Sequence, residues 1–342
     1  MSALLDGAGT SARGLRDQAI VGLGELLWDL LPGGRQLGGA PANFAVMASR
    51  LGAHGVIASR IGDDELGRAA LATLEGMPVD TRYLQRDSAQ ATGSVSVELV
   101  GGQPYYTIHE PVAWDFLELT PAWQELAGRA DAVCFGGLAQ RSARSRETIH
   151  AFLAATRPEC VRVFDVNFRK PFVTEEAVRA SLKRATILKL NDGEMPDLLA
   201  LAGLAQAPEG ESEADQVRVD WLAHSAKRLL EAWPMRLVAI TLGANGSLLV
   251  TRDEVARHPG VAIKVADTVG AGDAFTAALT TYYLRVVSKG DSPDDLDAAA
   301  LAMLNEAGNR WGAWVASQAG AMPHLPDQVL ERISTEIALA VR

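Results

Sequence analysis

Along most of the chain, short apolar runs alternate with longer stretches in which apolar residues recur every three or four positions. Ala19–Leu26, Val56–Arg60, Ala132–Gly136, Val161–Val166, Thr186–Leu190 and Leu237–Leu242 are runs of buried-strand type. Ala42–Leu51, Glu65–Leu74, Ser145–Thr156, Glu175–Arg184 and Val217–Trp233 carry the helical spacing. Their alternation predicts an α/β fold, a mostly parallel sheet with helices on both faces. Ligands of such sheets bind beyond the carboxyl ends of the strands. One segment breaks the pattern. Gly93–Val100 alternates with period two, Gly101-Gly102 makes a turn, and Gln103–His109 alternates again. That is a β-hairpin. It reads either as a lid that keeps water from a reaction site or as an ordinary edge hairpin. Ala205–Asp220, acidic and rich in Pro, Gly and Ser, reads as a surface loop.

Candidate chemistry is densest at residues 267–275, Asp-Thr-Val-Gly-Ala-Gly-Asp-Ala-Phe. The β-branched run Val261–Val265 before it predicts a strand, and Ala274–Val287 after it predicts a helix. Gly270 and Gly272 then sit at a helix N-terminus, where backbone N–H groups are unpaired and the helix dipole favours an anion. A carboxylate, Asp273, stands inside that cradle. An acid in an anion site suits a base that takes a proton from a hydroxyl while the cradle stabilises a phosphoryl group. The alternative is a helix end with Asp as a cap.

Further motifs fall at the predicted strand ends. Gly38-Gly39-Ala40-Pro41-Ala42-Asn43 opens a helix, with glycines that admit a ligand and an amide suited to sugar hydroxyls, or simply a turn with Pro near a helix start. Asp29 follows the first strand and has hydroxyl-accepting oxygens. Phe164–Arg169 projects Asp165, Asn167 and Arg169 into the expected crevice. Arg169 is a candidate partner for a phosphate oxygen, and loop anchoring by Asp165 and Asn167 is the alternative. Asn191 and Glu194 follow another strand and suit a water-rich Mg²⁺ or a helix cap. Thr241-Leu242-Gly243-Ala244-Asn245-Gly246 could line a nucleotide or turn a hairpin into Ser247–Thr251. No Gly-x-x-x-x-Gly-Lys-Ser/Thr occurs, and Leu27 stands at the third glycine position of a dinucleotide fingerprint begun at Gly22.

Bulk properties narrow the partners. A net charge of −10 over 342 residues argues against nucleic acid or an acidic membrane surface as the main partner. Cys134 and Cys160 read as buried core thiols. The chain has no apolar run long enough to span a membrane, and residues 1–17 read as a flexible extension, not a signal peptide. A cytoplasmic protein is expected.

The order of the motifs, Gly-Gly-x-x-x-Asn, hairpin, Asp-x-Asn-x-Arg, Asn-x-x-Glu, Thr-x-Gly-x-x-Gly and Asp-Thr-x-Gly-Ala-Gly-Asp, closely resembles the ribokinase-like (PfkB) sugar kinases from about Ala19 to Pro326. The resemblance implies a Rossmann-like doubly wound core at 18–342, a β-sheet lid at about 29–40 and 92–112, and transfer of the γ-phosphoryl group of ATP to a sugar hydroxyl. It implies that Asp273 is the catalytic base, that Gly270, Ala271 and Gly272 form the anion hole, and that Asp29, Gly38, Gly39, Asn43 and Asn167 lie around the sugar. Asn191 and Glu194 are then the Mg²⁺ motif, acting through water. Thr241, Gly243 and Gly246 are the nucleotide side, and Asn309 lies near the adenine. A K⁺ beside the anion hole would neighbour Asp267, Val269 and Gly320. Gly22–Glu25, Ile108–Asp115 and Asp165–Arg169 look most like bacterial fructokinases. By alternation, Ser94, Ser96, Glu98 and Tyr106 form the sugar-facing side of the lid, and a homodimer through the lid would use Tyr105, Tyr106, Ile108 and Val112. The acceptor could also be 2-keto-3-deoxygluconate, ribose or a nucleoside, and a non-catalytic sugar- or nucleotide-binding protein is a further alternative. One departure stands out: the helix expected near the adenine reads Asn309-Arg310-Trp311-Gly312-Ala313-Trp314, bulky where the family is small.

Overall fold

A computed structural model describes residues 15–31, 33–100, 103–204, 215–287 and 296–340. Most of the expected N-terminal extension, the Gly101-Gly102 turn and residues 205–214 of the expected loop lie outside the described residues. In chain order the elements are β1 (Ala19–Leu23), β2 (Leu27–Leu31), β3 (Gly34–Gly38), α1 (Ala40–Arg50), β4 (His54–Gly62), α2 (Glu65–Glu75), β5 (Leu84–Asp87), β6 (Gly93–Val100) and β7 (Gln103–Ile108). There follow α3 (Pro121–Arg129), β8 (Ala132–Gly136), α4 (Ala143–Ala154), β9 (Val161–Asp165), α5 (Glu175–Leu182), β10 (Ile187–Asn191), α6 (Met195–Ala202) and α7 (Asp215–Ala232). The last are β11 (Leu237–Thr241), β12 (Ser247–Val250), β13 (Val255–His258), α8 (Ala271–Val287), α9 (Ala298–Ala316) and α10 (Asp327–Ala340).

The architecture is α/β with two sheets. The large one has the strand order β13-β12-β11-β10-β9-β8-β1-β4-β5, parallel from β11 to β5 and closed at one edge by the antiparallel β12 and β13. Successive strands run outwards in opposite directions from β1 and β8. The switch point, where α/β sheets bind ligands, therefore lies between those two strands. Residues alternate between the two faces of each strand. On β1, Ile20 packs into the layer that holds α1, α8, α9 and α10, while Val21 and Leu23 pack into the layer that holds α3 to α7. The small sheet, ordered β3-β2-β6-β7, stands apart from the large one. Trp28 and Leu37 of the small sheet pack on Ala42, Ala45 and Val46 of α1, so its base is continuous with the core.

The structure changes several sequence expectations. The first strand stops at Leu23, because Gly24 turns away at φ +149°. Residues 261–265 form no strand: the edge of the sheet already ends in β13. The chain instead runs along α9, whose Ala316 carbonyl accepts from the N–H groups of Ala266 (2.9 Å) and Asp267 (3.2 Å). Ile263 and Val265 consequently stay exposed. Residues 215–220, expected in a loop, open α7. Thr241–Gly246 keeps one of its two readings, the hairpin turn into β12, with Leu242 N–H donating to the Gly246 carbonyl at 2.8 Å. Trp311 and Trp314 face the core, edge to face at 6.0 Å between ring centroids. Among the described residues no helix is long and apolar enough to cross a membrane.

Asp64 ties the two sheets together. It caps α2 by accepting from Gly67 N–H at 2.7 Å, and it accepts from Thr92 N–H and Thr92 Oγ1 at 2.8 and 2.6 Å just before β6. Asp64→Ala is expected to lower the unfolding free energy by about 2 kcal/mol, the sum of a lost cap and lost charged hydrogen bonds. Denaturant unfolding measures this, and an unchanged midpoint would contradict the role given to the carboxylate.

Candidate functional site

The carboxyl ends of β1, β9, β10 and β11 and the N-termini of α1 and α8 converge near the switch point. Helix α8 begins at Ala271, earlier than its apolar run suggests. Its first intrahelical bond is Ala274 N–H to the Gly270 carbonyl at 2.9 Å, so the N–H groups of residues 271–273 precede the ladder. Ala271 N–H leans on the Thr268 carbonyl at 3.3 Å. Gly270 adopts φ +79°, and a Cβ there would lie 2.7 Å from Ala321 Cα. Only glycine fits that corner.

Asp273 stands in the first turn of α8. Its Oδ2 accepts from Asn43 Nδ2 at 2.7 Å, across 230 residues of sequence. Burial, then the neighbouring Asp165 carboxylate, push its carboxyl up to about 6, against the pull of Lys189, the Asn43 hydrogen bond and Arg169. Asn43 is placed by the Gly-Gly corner. Gly39, at φ +108°, starts α1, and a Cβ on it would lie 2.5 Å from the Glu25 carbonyl oxygen. The Asn43 carbonyl oxygen Oδ1 is buried without a partner.

Asp29 lies on β2 beside Gly38, whose Cβ position is 3.2 Å from Asp29 Oδ2. Burial raises its carboxyl while Arg169 lowers it, so Arg169, itself exposed, reaches both Asp29 and Asp273 electrostatically. Asn167 takes the left-handed conformation at φ +36°, which turns the chain from β9 towards Arg169. The small sheet corrects one grouping. Register pairs Ser94 with Trp28, and Asp29 with Val95, which in turn faces Ile108. Ser94 and Ser96 therefore share a face with Trp28, whereas Tyr106 shares the opposite face with Asp29. Ser94 and Tyr106 do not line one side together. Glu98 and Tyr105 have no described side chains. Val112 is buried, so it is not part of an exposed apolar lid face.

On the other flank, Asn191 and Glu194 form a reciprocal cap. Asn191 Oδ1 accepts from Glu194 N–H at 3.1 Å, and Glu194 Oε2 accepts from Asn191 N–H at 2.8 Å. Glu194 Oε1 also accepts from Phe168 N–H at 2.9 Å, which joins the ends of β9 and β10. Gly243 (φ +59°) and Gly246 (φ +87°) shape the turn beyond Thr241. Asn309 lies in a buried network: its Nδ2 donates to Ser247 Oγ at 2.6 Å and to the Asn305 carbonyl at 2.8 Å. Asp267 accepts from Val269 N–H at 3.0 Å and Gly320 N–H at 3.1 Å, which brings the three expected K⁺ neighbours together.

Sequence reasoning passed over the role of Lys189 here, and the burial of Glu25. Lys189 and Asp165 form a buried ion pair at 3.1 Å, and the trace of it in the sequence is a lone lysine inside the apolar run of β10. Glu25, just past β1, is buried with Oε2 unpartnered. Burial raises its carboxyl to about 7, opposed by hydrogen bonds from its own and the Ala40 backbone N–H and by Arg169.

Comparison with known proteins gives the following. The model of the pfkB family carbohydrate kinases matches residues 33–328. A fructokinase of Klebsiella pneumoniae is 33% identical over 312 residues, covering 89% of this chain and 95% of that protein. An uncharacterized sugar kinase of Pyrococcus horikoshii, PH1459, is 30% identical over 281 residues, covering 78% of this chain and 83% of its own. Its structure in complex with ATP matches with a TM-score of 0.73 at 28% identity, covering 93% of this chain and 99% of that one. The structure of a fructokinase from Vibrio cholerae with fructose, ADP and a calcium ion bound matches with a TM-score of 0.71 at 25% identity, covering 94% and 99%.

The shift at Glu25 has a consequence for stability. Its folded value of about 7 lies above the ordinary 4.5, so the folded state holds the proton more tightly. Its contribution is fully present below pH 4.5 and is lost as pH rises through 7. Glu25→Gln removes this loss, and the variant is expected to gain up to about 3 kcal/mol on wild type between pH 5 and pH 8. Denaturant titrations at the two pH values measure it; parallel shifts in both proteins would contradict the assignment.

Proposed function

The chain belongs to the pfkB family of carbohydrate kinases, a sugar phosphotransferase, and on that premise we propose that it transfers the γ-phosphoryl group of MgATP to a hydroxyl of fructose. The observation that carries the reading is the meeting of Asp273, on the first turn of α8, with Asn43, on the first turn of α1. It supports the reading because a carboxylate meets a helix N-terminus there, where unpaired N–H groups favour an anion. Fructose is favoured by the similarity to the Klebsiella fructokinase and by the Vibrio enzyme that holds fructose and ADP. ATP as donor is favoured by the complex of PH1459.

In this reading Asp29, Gly38, Gly39 and Asn43 hold the sugar, with the orphaned Asn43 Oδ1 accepting from a hydroxyl. Asp273 accepts the proton of the attacking hydroxyl, while the N–H groups of Gly270, Ala271 and Gly272 face the phosphoryl oxygens. Arg169 offsets charge from the solvent side. The small sheet, at 29–40 and 92–112, closes over the sugar, with the Asp29 and Tyr106 face inward, and excludes water. The turn at Thr241, Gly243 and Gly246 takes the nucleotide.

Both oxygens of Glu194 already accept from backbone N–H groups. Among the described residues no group of three His, Cys, Asp or Glu could hold a metal ion. The residues thus fit an Mg²⁺ carried by the phosphates and reached through water from Asn191 and Glu194. When bound, that ion neutralises phosphate charge. The clustering of Asp267, Val269 and Gly320 fits a K⁺ site beside the cradle.

Asp273→Asn is expected to lower kcat by about 10² to 10⁴, the worth of a positioned base, with sugar and ATP affinities little changed. Near-normal turnover in that variant would falsify the base assignment. With the carboxyl at about 6 in the free enzyme, wild-type kcat/KM falls as pH drops through that value and is level above it. A sugar panel assayed with MgATP is expected to give fructose the highest kcat/KM. Activity on 2-keto-3-deoxygluconate, ribose or a nucleoside with none on fructose overturns the acceptor. Tight sugar binding with no ADP formed on any sugar overturns catalysis.

A further inference from the structure

Behind the cradle lies an ion pair that this chemistry does not use. Lys189, within the buried strand β10, places its ammonium 3.1 and 3.2 Å from the two oxygens of Asp165 at the end of β9. Their side chains are only 9% and 4% exposed. Thr276, one turn into α8, has its hydroxyl 3.2 Å from Asp165 Oδ2 and 2.8 Å from the Gly272 carbonyl. The Lys189 ammonium also lies 3.0 Å from where a side chain on Gly272 would begin. The pair therefore abuts, from behind, the turn that carries Asp273. Removing two ions from water is expensive, and a well-packed apolar pair often serves stability as well.

The charged and titratable groups around Asp273 come from five places: Asp165 from β9, Lys189 from β10, Arg169 from the loop beyond β9, Glu25 from the turn after β1 and the Cys134 thiol from β8. The neutral amide of Asn43 bonds it from α1. Asp165 takes both of the ammonium contacts described, so the hydrogen-bond partner of Asp273 is a neutral amide. With Asp165 uncharged, Lys189 would have Asp273 as its counter-ion, and a salt-bridged carboxylate is a poor base.

We propose that Asp165 is a positioning residue for phosphoryl transfer: it holds Lys189 behind Gly272 as a fixed cation and so leaves Asp273 free to take a proton. The proposal rests on the role given above to Asp273. It answers a gap in the sequence, which has no phosphate-binding lysine of P-loop type. Here the cation sits behind the backbone donors instead of touching the phosphate.

The test is kinetics across pH on the full chain with MgATP and its best sugar. In Asp165→Asn the acid limb of kcat/KM moves down by about one pH unit, and the plateau of kcat falls at least about tenfold. Sugar and nucleotide Kd values change less than about threefold. Asp165→Asn/Lys189→Met leaves no lone buried charge and keeps the fold even where the single variant does not. Its limb returns towards the wild-type position, while kcat stays at least about tenfold low because the cation is gone. A purely structural pair would change the unfolding temperature and leave the limb in place. Wild-type kcat with a wild-type limb in either folded variant overturns the proposal. Asp273→Asn measured alongside separates the levels: full activity there defeats the base assignment, whereas its loss beside an unaffected Asp165→Asn defeats this inference alone.

Discussion

The site depends on placing a carboxylate where a helix end invites an anion. Asp273 sits in the first turn of α8, at the positive end of the helix dipole, yet burial, and then Asp165 close by, push its proton affinity up. The two carboxylates share one buried ammonium, and the structure resolves the competition by geometry. Lys189 bonds Asp165, and Asn43 bonds Asp273.

The topology supplies the means. Because strands run outwards both ways from β1 and β8, the loops after β1 and β9 and the starts of α1 and α8 meet over one opening. The Gly38-Gly39 corner lets α1 begin against the Glu25 backbone, and this sets Asn43 opposite Asp273. Gly270 and Gly272 do the same for α8, one by its positive φ and the other by leaving room for Lys189. The small sheet is anchored to this frame by Trp28 on α1 and by Asp64 between α2 and Thr92.

Much of this could be read from the chain, and the failures have physical causes. The buried strands and the helices announced themselves by period, and the Gly-Ala-Gly-Asp turn fell at a helix start as its composition requires. The pairing of Asn43 with Asp273 is a tertiary fact that no local pattern holds. Ser94 and Tyr106 were grouped by alternation within each strand, but alternation does not say how two strands are matched; the register does. Residues 261–265 have strand composition but no strand beside them, since β13 already ends the sheet. Asn309 was correctly placed on a helix, yet its amide is consumed by Ser247 and Asn305. Lys189 was visible as a charge in an apolar run, but its partner lies on a neighbouring strand, 24 residues earlier.

The central claim is that one point in the crevice serves both the sugar hydroxyl and the transferring phosphate. A crystal structure with the best sugar substrate and a non-hydrolysable ATP analogue tests it most directly. The account predicts a sugar hydroxyl within about 3 Å of an Asp273 carboxylate oxygen, with the terminal phosphate seated on the N–H groups of residues 270–272. A sugar bound with no hydroxyl near Asp273, or a terminal phosphate seated away from the start of α8, would contradict it.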